Sequence, residues 1–122
     1  MSNPFVHVEL NTPDVSKAKN FYGKLFDWKF EDVPMGPSGV YTMIKVGEGT
    51  GGGMLTPPPG GPNMWLAYVQ VPDIEASTKK AQSLGASVLK DVTEVPGAGW
   101  LSILSDPAGA IFALWKPAAR AA

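Results

Sequence analysis

The chain has 122 residues, the size of one compact domain or of two very small modules fused together. Ten basic side chains against eleven acidic ones give a net charge of −1, and Arg120 is the only arginine, so there is no electrostatic footprint for nucleic acid or an anionic membrane and no forked cations for phosphate. Cysteine is absent, which excludes disulfides, thiolate metal sites and cysteine nucleophiles; no apolar run approaches the roughly 20 residues of a bilayer-crossing helix.

The opening MSNPFVHVEL lacks the basic-then-apolar layout of a secretory signal, and a cytoplasmic protein is the expectation. Residues 5–11 alternate as a strand, with Val6, Val8 and Leu10 on one face and Phe5, His7, Glu9 and Asn11 on the other. Pro13 ends the strand and Asp14 is placed to cap a helix. In that helix Val15, Ala18, Phe21, Tyr22, Leu25 and Phe26 share a stripe and read as core. Short strands follow near 28–33, 40–46 and 52–56. Glu31-Asp32 and Lys79-Lys80 read as solvated faces.

Residues 47–52 formally match G-x-G-x-x-G, but they run into Gly53-Met54-Leu55-Thr56-Pro57, where no helix can start to meet a phosphate. The run reads as a strand connection in which Gly52 and Gly53 could let a ligand come close to the backbone. The proline-rich stretch 57–63 is a stiff linker. A second strand–Pro-Asp–helix unit follows. Its strand covers 65–71, its helix stripe is Ile74, Ser77, Ala81 and Leu84, and Gly85 is the stop. Further strands fall near 86–92, 100–105 and 110–116, separated by turns at 96–99 and 106–109. Residues 118–122 read as a frayed tail.

Asn11-Thr12-Pro13-Asp14-Val15 returns as Gln70-Val71-Pro72-Asp73-Ile74, an internal repeat with a period of about 60 residues. The chain is thus one domain, 1–122, of two modules, about 4–56 and about 64–116, each β-α-β-β-β. The fold class is α+β: a curved mixed sheet around a cleft, with helices on the outer face. If Leu101 and Ile103 face the helix, then Trp100, Ser102 and Leu104 face inward. On the last strand Phe112 and Leu114 go to one side and Ile111, Ala113 and Trp115 to the other.

The duplicated plan, the opening with Asn20-Phe21-Tyr22 and the ending Asp106-Pro107-x-Gly109-x-x-Phe112-x-Leu114-Trp115 resemble the vicinal oxygen chelate superfamily. That group includes glyoxalase I, bleomycin-binding resistance proteins, fosfomycin-inactivating transferases and extradiol dioxygenases. The resemblance implies a homodimer and one divalent metal held by the first and last strands of each module. Carried over, the ligand positions fall on His7, Met54, Leu66 and Ala113, and only His7 can ligate. The expectation is therefore a protein without the usual metal, binding a small, partly apolar molecule in its cleft. His7 and Glu9 would supply polar contacts, with acid–base work by His7 tuned by Glu9 as a further option. Tyr68, Trp100 and Trp115 would supply walls, and Met54, Leu66 and Ala113 an apolar floor. No cofactor is expected. Two alternatives stand beside this reading. One is a metal-dependent lyase, isomerase or dioxygenase that rebuilds a site around His7 and Glu9. The other is a self-association domain with a relic cleft.

Overall fold

The computed structural model describes residues 2–118; of the expected tail, residues 119–122 lie outside the described residues. The elements in order are β1 (Phe5–Asn11), α1 (Val15–Leu25), β2 (Lys29–Pro34), a 3-10 turn at Gly36–Ser38, β3 (Val40–Lys45) and β4 (Gly52–Leu55), then β5 (Met64–Gln70), α2 (Ile74–Ser83), β6 (Ser87–Val95), β7 (Gly99–Ser105) and β8 (Ile111–Pro117). This is the expected α+β plan of β-α-β-β-β, twice. Residues His7–Leu66 form one compact unit, and the segment up to Val6 joins the chain from Ala67 onward in the other.

In the first unit the strands run in the order β2-β3-β4-β1. β1 and β4 are parallel, with Glu9 beside Gly53 and Leu10 beside Met54; β3 and β4 are antiparallel. The Pro-Asp signal acts as its chemistry predicts, because the Asp14 carboxylate accepts the Lys17 backbone N–H at 2.9 Å. Under α1 lie Leu10, Ala18, Ile44 and Met54. The stripe that meets the sheet is narrower than expected: Phe21, Leu25 and Phe26 are 58, 56 and 44% exposed. Val15, Ala18 and Tyr22, spaced three and four apart, make the contact, and Phe21 and Leu25 sit on its flank. The Glu31-Asp32 pair is exposed, as expected, and is ion-paired as well. Asp32 takes Lys19 at 2.8 Å and the Thr42 hydroxyl at 2.7 Å, and Glu31 takes Lys45 at 2.9 Å.

The second unit repeats the pattern in the order β5-β8-β7-β6. Asp73 accepts the Ala76 N–H at 3.1 Å, and α2 ends on Gly85, whose φ of 104° lets Ala86 N–H reach back to the Ala81 carbonyl. The buried helix positions are Ile74 and Thr78, while Leu84 is exposed. Val71, Ile74, Leu104 and Leu114 make the core. The 106–109 turn forms as expected, with Asp106 Oδ1 accepting the N–H groups of Ala108 and Ala110. Among the described residues no helix is long and apolar enough to cross a membrane.

Candidate functional site

β1 has a period of two, so turning Leu10 toward α1 turns His7 and Glu9 to the helix-free face of the first unit. β3 alternates likewise: Thr42 and Ile44 are buried, and Tyr41 and Met43 point the other way. The three polar side chains meet on that face. His7 Nε2 lies 2.7 Å from the Tyr41 hydroxyl, which donates to Glu9 Oε2 at 3.0 Å. Glu9 is buried. The His7 and Tyr41 rings lie nearly parallel, 25° apart, with centroids separated by 6.1 Å.

The direction of these hydrogen bonds follows from the number of protons. A phenol has one, and it goes to Glu9. With Glu9 as a carboxylate, the Tyr41 oxygen accepts from His7, which is the tautomer that protonates Nε2 and leaves Nδ1 as the ring's acceptor nitrogen. Burial pushes the His7 imidazole below its usual value of 6.5, so the ring is neutral at pH 7.

Glycine makes the arrangement sterically possible. A Cβ on Gly53 would run into the Tyr41 ring, and a Cβ on Gly52 would run into the Val8 carbonyl. The space that these glycines leave is therefore filled by Tyr41 and by the parallel pairing of β1 with β4. It does not open the backbone to a ligand, as the sequence had suggested. Tyr41 is the residue that sequence reasoning missed. The available signals were its place on the same side of β3 as Met43 and a neighbouring strand that begins with two glycines.

The other expected site residues are distributed as follows. Met54 is fully buried under α1 with Leu10 and Ile44, on the face opposite His7 and Glu9. That corrects its placement, because the face of β4 shared with Glu9 carries Gly53 and Leu55 instead. Leu66 is buried on β5, on the same side of that strand as Tyr68. In the second unit Tyr68 pairs with Ala113 and sets its ring edge-on to Trp115 at 6.5 Å, on the face away from α2. Trp100 is a second correction. It packs with Leu104 and Phe112 on the α2 side, and the Lys116 ammonium sits 4.5 Å from the centre of its ring. Ser102 shares that side, its hydroxyl 3.0 Å from that of Thr78 on α2. The reason is register: Ser102 lies opposite Leu114 and Leu104 opposite Phe112, and residues directly opposite each other share a face.

These side chains do not fit the divalent ion that the resemblance implies. Among the described residues no three His, Cys, Asp or Glu groups come together. His7 and Glu9 are both engaged by one hydroxyl, and Gly53 and Leu55 add no nitrogen or oxygen donor. The glycine run leads into a strand, not a helix; Gly47, Gly49 and Gly51, with Lys29 and Lys45, line an open depression of about 540 Å³.

Comparison with known proteins agrees with the architecture. The profile described as Glyoxalase/Bleomycin resistance protein/Dioxygenase superfamily matches residues 5–114. A Mycobacterium bovis protein named "Putative glyoxylase CFP32" is 35% identical over 114 residues, covering 89% of this chain and 44% of its own. The Streptomyces peucetius protein named "Anthracycline biosynthesis protein DnrV" is 30% identical over 123 residues, covering 88% of this chain and 45% of its own. The chain thus spans less than half the length of these curated relatives. In structure, a hypothetical protein from Bacillus halodurans superposes with a TM-score of 0.75 at 16% identity, covering 100% of this chain and 99% of that one. A profile match from the first strand into the last, on a twice-repeated β-α-β-β-β plan, places the chain in the glyoxalase/bleomycin resistance protein/dioxygenase superfamily.

Proposed function

We propose that the protein binds a small, partly apolar organic molecule on the helix-free face of residues 7–66, without a divalent cation. The observation that carries this reading is the His7–Tyr41–Glu9 chain: three polar side chains joined to each other on a face that also presents Met43 and Leu55. A few fixed polar groups among apolar ones are the usual make-up of a small-molecule site. The Glu9 carboxylate on this face disfavours an anionic ligand. The name of one relative, an anthracycline biosynthesis protein from Streptomyces peucetius, supports a partly apolar organic ligand.

The test is a thermal-shift and calorimetric screen of neutral, hydroxylated aromatic compounds in the presence of a chelator. A ligand at 100 times its Kd stabilises the native state by about 2.7 kcal/mol, a clear rise in Tm. No shift across the set, or binding only after zinc, nickel, manganese or iron is added, would overturn the reading.

The exposed rings of Phe21 and Phe26 beside Leu25 favour a second function for the same fold, self-association as a homodimer. Sedimentation equilibrium is expected to show a dimer that F21S and F26S weaken. A monomer at all concentrations would remove this reading.

A further inference from the structure

Two donors of the kind that hold a metal, an imidazole and a carboxylate, stand on one face of β1, yet both point at the same phenol. We infer that Tyr41 is the residue that bars a cation from this site, its hydroxyl standing where an ion shared by His7 and Glu9 would have to stand. This deepens the metal-free part of the proposed function and rests on it.

The distances support the inference. Zinc would stand about 2.0–2.2 Å from each donor atom. The Tyr41 oxygen stands at 2.7 Å from His7 Nε2 and 3.0 Å from Glu9 Oε2, the spacing of hydrogen bonds. The imidazole is also in the wrong state for a cation there. Nε2 carries a proton, and the lone pair that would ligate is on the other ring nitrogen. An arriving ion would have to displace the hydroxyl and flip the tautomer, losing two hydrogen bonds for two coordinate bonds.

Tyr41 is also seated. Its ring occupies the space a Cβ would take at Gly53. Gly53 is fixed between Glu9 of β1 and Met43 of β3 by strand register. A side chain at 53 would therefore displace the ring, and strand pairing holds Glu9 in place. The same register brings no third donor: Gly53 and Leu55 occupy the β4 positions beside Glu9 and Asn11.

The experiment uses the fact that His7 is the only histidine, so a single imidazole is observed by NMR. In the wild-type protein at pH 7.5 the ring is expected as the Nε2–H tautomer, unmoved by equimolar zinc. Tyr41→Phe removes the hydroxyl and keeps the ring on Gly53. In that variant zinc is expected to shift or broaden the His7 signal with a half-saturating concentration at least tenfold below that of the wild type. Gly53→Ala, which pushes the ring off its seat, is expected to act in the same direction and serves if Tyr41→Phe does not fold. A wild-type ring found as the Nδ1–H tautomer, wild-type His7 taking zinc stoichiometrically, or a folded variant with unchanged zinc affinity would overturn the inference. A failed small-molecule screen, with His7 indifferent to zinc and Tyr41→Phe responsive, would sink only the binding reading.

Discussion

At position 53 a missing side chain decides where a phenol goes. Gly53→Ala forces the Tyr41 ring to move against a paired strand, an overpacking change expected to cost about 1–3 kcal/mol in urea denaturation. His7 sets a pH dependence. Its folded pKa lies below the unfolded value of 6.5, so in the window between them the unfolded chain binds more protons. The contribution is complete above 6.5 and is lost as pH falls below it. Glu9 and Tyr41 are the polar neighbours that share this burial. Comparing urea midpoints at pH 7.5 and 5, the wild type is expected to lose more stability on acidification than His7→Gln. His7 and Glu9 were legible because a period of two puts them on one face of a single strand. Tyr41 was not, because its partners lie 34 and 32 positions away and meet it only through strand register.

Between elements, one of the contacts that join α2 to its sheet is polar, beside the apolar one made by Ile74. Thr78 donates to the Ile74 carbonyl at 2.6 Å and lies 3.0 Å from the Ser102 hydroxyl, and both side chains are buried. Removing either hydroxyl leaves the other short of a partner, at about 1–2 kcal/mol. Ser102→Ala and Thr78→Val together are expected to cost less than their sum, measured by a double-mutant cycle in chemical denaturation. The strands and helices themselves were readable, since Asp14 and Asp73 announce the helices and Gly85 ends the second. The faces of β7 and β4 were not. Trp100-Leu101-Ser102-Ile103-Leu104 is apolar on both sides apart from one serine, and a serine signals the solvent side unless its partner on the helix is known. Gly52-Gly53-Met54-Leu55 has no alternation at all, so Met54 could be assigned to either face.

Across the whole chain, sequence order and spatial grouping part company at the start. The segment before His7 belongs with the unit that begins at Ala67. Pro4 gives its carbonyl to the Gln70 N–H at 3.0 Å, and Asn3 Nδ2 donates to the Gln70 carbonyl at 3.0 Å. Deleting residues 1–4 is expected to lower Tm measurably and to speed amide exchange at Gln70 first. If exchange at Gln70 were unchanged, those bonds would have no weight in solution. The four tryptophans are divided by the same grouping. Trp28 and Trp65 stand edge to face at 6.1 Å among residues 7–66, whereas Trp100 lies beneath an ammonium and Trp115 beside Tyr68 in the remainder. Each half thus has its own pair of indole fluorophores in distinct surroundings. With one pair replaced by phenylalanine, the emission colour of the other reports on its half alone, with no dye attached.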